Sequence, residues 1–311
     1  MERLKGHFPW ITLLVLIVFV GVLDPQFLRP EGLIQIAADI STLFIMALGI
    51  TFVIYIGGID LSSQSIANMT TVLVTLMLPL FGIWSAVFAV LLGAAFGFCS
   101  GAISTKFKVP SFITTLAIGG VALSVGQYAS GQRALFMDAE LRNSTFGWMV
   151  GSTGPIPNEI ILAGVLLLIA LFVERRTTVG RALKAIGAGE LAAVASGLKV
   201  DNYKIIAFMI SGGLAAMAGL LFSVKLSGGS PVIAEGLLLP AIVAVLVGGT
   251  PLTGGVGGAL NTLIGALIVA VVRTSMLYLE IPAQAQQIFF GIVLIIAIAL
   301  TIDRAKVRTV K

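Results

Sequence analysis

The chain has 311 residues, of which 58% are hydrophobic and 11% charged, with a mean hydropathy of +1.08 and a net charge of +5. A soluble domain carries about 25% charged residues, so this composition belongs to a surface that faces lipid. A single cysteine, Cys99, and a single histidine, His7, exclude an internal disulfide, a zinc enzyme and a histidine-based triad.

The N-terminus begins with a short basic stretch and an apolar run that resembles a signal peptide. The run ends in Asp24-Pro25-Gln26-Phe27 with no small-residue cleavage site, so it reads as a retained first span. A span needs about 20 mostly apolar residues. On that rule about ten are expected, near residues 8–23, 33–56, 61–80, 83–104, 111–128, 159–173, 205–224, 236–247, 257–276 and 288–302. The third is the most polar, with Ser62, Ser63, Gln64, Ser65 and Asn68, and is expected to be broken or to line a cavity. The eighth is short and flanked by glycine. Pro110 opens the fifth span, where its missing N–H costs nothing. The glycine pairs 119–120, 212–213, 254–255 and 257–258 read as close-packing points. One local pattern recurs: GGIDLS at 57–62 is echoed by GGTPLT at 248–253, each after an apolar span.

Cytoplasmic loops are enriched in Lys and Arg. With the N-terminus inside and ten spans, 14 of the 19 basic residues fall inside and 5 outside, and the C-terminus is also inside. The positive charge thus collects in loops rather than on an aromatic-interleaved face, which argues against nucleic-acid binding. The chain reads as one all-α membrane domain, residues 1–311, with cytoplasmic termini. The longest outside loop, about 129–158, carries charges of both signs at Arg133, Asp138, Glu140 and Arg142. It is a landing surface for an extracellular partner or a solvated connector.

The long polar interruption at about 174–204 holds the densest basic patch: Arg175, Arg176, Arg181, Lys184, Lys199 and Lys204. Thr177 or Thr178 can cap a short helix over 179–186 through its hydroxyl. Gly187 and Gly189 are expected to interrupt it. Glu190 then opens a second short helix, where a carboxylate suits the positive helix end, and Gly197 is placed to end that helix in a left-handed conformation. Leu183, Ile186, Val194 and Leu198 are expected to form an apolar edge. The result is a rigid basic knob suited to docking, or a loop that only fixes orientation.

Asp60 raises proton coupling, since acids within spans are functional by default. Its position near the cytoplasmic boundary favours a cap on the next helix, through the N–H of Ser63 or Gln64. Asp39 sits close to the outer end of its span. Gln64, Asn68, Gln127, Tyr128 and Asn261 are uncharged polar groups that suit a path for neutral polyols, or hydrogen bonds between helices. No Gly-Lys dipeptide occurs, so the phosphate-cradling loop is absent. ATP and Mg, where used, belong to another chain, and no cofactor or metal is expected here.

Four runs are recognisable together. GGIDLSSQSIANM at 57–69 resembles the GGIDLS signature of permease subunits of bacterial ribose-type ABC sugar importers. So do KVPSFITTLAIGG at 108–120, TTVGRALKAIGAGELAAVASGLKV at 177–200 and VLVGGTPLTGGVGGALNTLIGALI at 245–268. The resemblance implies a type II-like importer permease fold of ten helices in the bacterial inner membrane. It implies a second permease copy or paralogue, a cytoplasmic ATPase and a periplasmic substrate-binding protein. It also makes the loop before the seventh span the coupling helix seated on the ATPase, a role that falls on Gly180, Arg181, Ala185, Gly187, Glu190, Ala192, Ala193 and Gly197. The chain departs from the family at Glu190 or Gly189, where Asn is common, and at Ser63-Gln64, where Val-Gly is common. The expected function is import of a sugar, with no catalysis by this chain. Alternatives are the same machinery carrying a nucleoside, a sugar-like signal molecule or a branched-chain amino acid, or a proton-coupled secondary transporter using Asp60.

Overall fold

The computed structural model describes residues 8–23 and 25–301. Arg3, Lys5, His7, Asp24, Arg304, Lys306, Arg308 and Lys311 lie outside them. The helices are α1 (Phe8–Leu23), α2 (Pro30–Tyr55), α3 (Ser63–Phe81), α4 (Trp84–Lys106), α5 (Ser111–Ser130), α6 (Ala139–Val150), α7 (Asn158–Arg176), α8 (Thr178–Ala188), α9 (Glu190–Ala195), α10 (Val200–Lys225), α11 (Leu238–Val247), α12 (Ala259–Tyr278) and α13 (Ala283–Thr301). A helix lies on every expected span. Six of them, α2, α3, α4, α5, α10 and α12, are long and apolar enough to cross a membrane, and α1, α11 and α13 carry shorter apolar stretches.

The core is built around α2. Pro30 sits in its first turn, and Glu31 meets the positive helix end there. From Ile40 to Tyr55 every residue is buried. A helix that is apolar all round is a core element, and here α7, α10, α11 and α12 surround it. The most extensive pairing is between α4 and α10. Gly93, Gly97 and Gly101 recur every four residues, so they form one stripe along α4. A Cβ on Gly97 would lie 2.1 Å from the Phe208 carbonyl oxygen on α10. Small residues let helices touch by their backbones, which is how helices associate where lipid removes the hydrophobic drive.

The third expected span is an unbroken helix, α3, with Ser62 just before it. Its polar residues serve backbone groups of the irregular segment 226–237. Asn68 Oδ1 accepts from Ala234 N–H at 2.6 Å, and Thr71 Oγ1 accepts from Ser230 N–H at 3.1 Å. Irregular backbone deep in such a protein must find partners inside it, and α3 supplies them. The segment leads into α11, which has only ten residues, about 15 Å at 1.5 Å per residue. That is half of a bilayer core of about 30 Å, and most of α11 is buried.

The 129–158 loop is more ordered than a solvated connector. It contains α6, capped by Asp138, which accepts from Leu141 N–H at 2.9 Å. Phe146 and Met149 of α6 are buried in the main core. Strand β1 (Leu135–Phe136) pairs antiparallel with β4 (Gly228–Gly229), and β2 (Ser152–Thr153) pairs with β3 (Ile156–Pro157). Arg142 also bonds Ser227. The loop is therefore strapped to the segment that precedes α11.

Candidate functional site

The two similar glycine-containing breaks, after α2 and after α11, meet at one end of the bundle. Gly255 N–H donates to Tyr55 O at 2.9 Å, and a Cβ on Gly254 would lie 2.6 Å from Gly57 N. Against this junction sits the 174–204 loop.

Thr177 caps α8, accepting from Gly180 N–H at 3.3 Å and donating to Val173 O at 2.6 Å. The expected interruption at Gly187 is absent, because α8 continues through it to Ala188. Gly187 is instead a contact point. A Cβ there would lie 1.9 Å from Tyr55 O and 2.3 Å from Gly255 N. The break falls at Gly189, Glu190 opens α9, and Gly197 ends the segment with φ +84°. Gly197 thus takes the left-handed conformation expected of it.

The eight residues matched to the coupling helix separate into two groups. Gly180 and Ala193 are buried, and Gly187 is seated on the junction. Arg181, Ala185, Glu190, Ala192 and Gly197 are exposed. The apolar edge differs from expectation. Leu183 and Ile186 are buried and Leu198 is half-buried, while Leu191 at 88% exposure and Val194 at 56% form the outward rim. The spacing of Arg181, Ala185 and Ala188 (i, i+4, i+7) puts them on one face of α8, and that face is open.

Behind this open face lies an ionic hub. Lys184 Nζ donates to Glu174 Oε1 at 2.7 Å and to Gly257 O at 2.9 Å, and lies 5.1 Å from the centre of the Tyr55 ring. Glu174 Oε2 accepts from the Tyr55 hydroxyl and from Ala259 N–H, both at 2.9 Å. Ala259 is the first residue of α12, so the carboxylate also faces the positive end of a helix. Burial pushes the Glu174 carboxyl up, but the Ala259 N–H, Lys184 and the Tyr55 hydroxyl together hold it below its usual value. One carboxylate on α7 thereby ties together α2, α8 and α12. Sequence reasoning finds Glu174 and Lys184 only as parts of a charged patch and misses Tyr55. The available signal is an acid inside the most basic stretch of the chain.

The second helix is held more lightly. Glu190 pairs with Lys204 at 2.7 Å on the surface, and Ala193 packs with Ile186 and Val200. Between this pair and the 104–111 turn is a polar cavity of about 430 Å³ that includes Gly57, Lys108, Glu190 and Asp201.

Asp60 is 1% exposed and fully engaged. It accepts from Ser62 N–H at 2.8 Å, Ser62 Oγ at 2.6 Å, Ser63 Oγ at 3.1 Å and Ser211 Oγ at 2.6 Å. The backbone donor is thus Ser62 rather than Ser63 or Gln64. The position is also deeper than expected, because Ser211 lies about 16 Å along α10 from Val200.

Gln64 and Asn68 share α3, and Gln127 and Tyr128 share the neighbouring α5, whose Gly126 packs on Met69. Tyr128 is 92% exposed. Asn261 lies apart, beside Gly249 and Gly258 in the break after α11.

Comparison with known proteins places this architecture. The ribose import permease protein of Haemophilus influenzae is 34% identical over 298 residues, covering 93% of this chain and 90% of that protein. That of Escherichia coli K12 is 34% identical over 295 residues, covering 93% and 91%. The Bacillus subtilis one is 34% identical over 304 residues, covering 96% and 92%. Residues 32–298 match the family model described as branched-chain amino acid transport system / permease component. The chain belongs to this family and is a multi-pass membrane permease of the ABC importer type.

Proposed function

We propose that the chain is the translocation subunit of an ATP-driven importer in the bacterial inner membrane and that its cargo is a small sugar. In this reading all 311 residues form one ten-span domain, with both termini and the 174–204 loop in the cytoplasm. The charge bias of the loops supports that orientation. ATP and Mg sit on a separate ATPase, the sugar arrives on a periplasmic binding protein, and a second permease copy or paralogue completes the pathway. The ribose import function carried in the names of relatives 34% identical along nearly their whole length supports the cargo.

The observation that carries the mechanism is the seat of α8. A helix that offers one face to solvent, while its other face grips the breaks after α2 and α11, can convert movement of a docked partner into movement of both breaks. Arg181, Ala185, Glu190, Ala192 and Gly197, with Leu191 and Val194, touch the ATPase. Gly180, Gly187 and Ala193, with Lys184 and Glu174, hold the loop to the bundle. When the ATPase dimer closes on ATP, α8 moves as a rigid lever and Tyr55 and residues 254–259 follow it. The engaged state of Asp60 weighs against proton coupling, because four donors hold its carboxylate in place.

Reconstitution of the permease with its ATPase and binding protein tests the reading. Sugar-stimulated ATP hydrolysis and ATP-dependent pentose uptake are expected. Stimulation by leucine or a nucleoside in place of every sugar tried would reassign the cargo. Uptake by this chain alone, abolished by Asp60→Asn and by an uncoupler, would replace the mechanism.

A further inference from the structure

At the end of the bundle away from the 174–204 loop is a second cavity, of about 320 Å³, between α2, α10 and α12. Its polar groups are Asp39 and Thr42, one turn apart on α2, Arg273 and Thr274 on α12, and Lys225 at the end of α10. Asp39 is at the mouth, with its side chain 65% exposed and receiving Gln35 Nε2 at 3.1 Å. Thr42, one turn deeper, is 3% exposed, and its hydroxyl has no hydrogen-bond partner among the described residues. The carbonyl one turn back, Ala38 O, receives Lys225 Nζ at 3.4 Å. Lys225 is neutralised from behind by the buried Glu159, at 2.6 Å. Arg273 makes no hydrogen bond or ion pair among the described residues and faces the field of Asp39. Phe222 supplies an apolar wall.

We propose that this cavity, whose lining comes from a single permease chain, is a binding site for a small polyhydroxylated solute. The charges balance: Lys225 lies 3.8 Å from Asp39 and 2.6 Å from Glu159, and Arg273 is the cation left unpaired among the described residues. Such a set offers donors and acceptors together without favouring a net charge, which suits hydroxyl groups that both donate and accept. The volume lies at the lower end for ligand cavities, in keeping with a monosaccharide-sized occupant. A buried hydroxyl without a partner is a group that a ligand oxygen satisfies. Ribose entering from the binding protein pairs with Asp39 and Arg273 at the mouth and with Thr42 at the base. The site rests on the sugar-import reading above and deepens it.

The test uses the complete complex of permease, ATPase and binding protein in proteoliposomes, together with saturation-transfer NMR of ribose on the permease in nanodiscs. Wild type is expected to give a ribose signal. Arg273→Gln and the near-isosteric Thr42→Val are expected to weaken it about tenfold, in line with the loss of one good hydrogen bond to a ligand. Ala270→Phe, which fills the cavity, is expected to abolish it and to slow uptake. Leu168→Ala on the exposed face of α7 is the control and leaves uptake unchanged. Co-elution of Thr42→Val with the ATPase establishes that this variant is folded. Ribose uptake by the wild-type complex with no NMR signal, or with signal and uptake intact in Thr42→Val and Ala270→Phe, overturns the site alone. Absence of uptake of any sugar by the wild-type complex overturns the sugar reading and the site with it.

Discussion

The two short helices of the 174–204 loop look alike in sequence but are held in opposite ways. α8 is clamped: Gly187 lies against the Tyr55 carbonyl and Gly255, and Lys184 binds Glu174 and the Gly257 carbonyl. α9 is six residues long, with Leu191 and Val194 outward and a surface ion pair at Glu190. A lever needs one end fixed and another free to be pushed. In the proposed mechanism the clamped helix carries the motion, and the lightly held one shapes the contact with the ATPase.

The sharpest way to break this comparison is Gly187→Val. A side chain there meets backbone on two sides, so the clamp must open. Overpacking against backbone costs about 3 kcal/mol or more, and uptake in the reconstituted complex is expected to fall about 100-fold while the chain still inserts. Normal uptake would show that the seat of α8 carries no motion.

Glu174→Gln is expected to come next. It removes the charge that answers Lys184 and faces the start of α12. Breaking the pair is expected to cost about 2 kcal/mol, less than for a fully dry pair because Lys184 is partly wet. ATP hydrolysis is expected to continue with uptake down about tenfold, measured as the ratio of solute moved to ATP consumed. The pH dependence follows from the lowered carboxyl. The stabilising contribution of Glu174 is fully present above the ordinary value of 4.5 and is lost as pH falls through its lower folded value. The thermal stability of wild type and Glu174→Gln should therefore differ at pH 7 and converge in strong acid.

The outward rim is tested by Leu191→Asp with Val194→Asp. Thermal stability should hold, since neither side chain is buried, while co-purification of the ATPase falls about tenfold, as when an apolar anchor is removed from an interface. A small effect on stability is expected for Glu190→Lys. It exchanges a surface attraction to Lys204 for repulsion, worth about 1 kcal/mol or less. A loss of coupling out of proportion to that change would place Glu190 in direct contact with the ATPase. No loss would confine α9's contribution to Leu191, Val194 and Ala192.

Much of this architecture is legible in the amino-acid sequence. The helical spans follow from runs of apolar residues too long to bury otherwise. The cap at Thr177, the start at Glu190 and the left-handed end at Gly197 follow from local backbone chemistry, and each appears where expected. Gly187 reads as a break for a reason of the same kind. Glycine weakens a helix locally, and nothing near it in sequence shows that Tyr55 and Gly255 approach from elsewhere. The polar residues of α3 suit either a polar path or hydrogen bonds within the protein, and the N–H of Ala234 brought against Asn68 fits the second reading.

The sequence by itself determined the lipid-facing composition, the helical runs, the collection of charge in loops and the polar loop with its two helices. These depend on transfer from water and on hydrogen bonds between near neighbours, which are properties of short segments. The tertiary structure decided which face of α8 is hidden, that Glu174 rather than the basic patch holds the loop, and that Asp39, Lys225 and Arg273 share one cavity. Those outcomes depend on groups far apart in the chain, such as Tyr55 with Glu174 and Glu174 with Ala259. Their pairing is set only when the glycine stripe of α4 and the buried length of α2 bring the helices into contact.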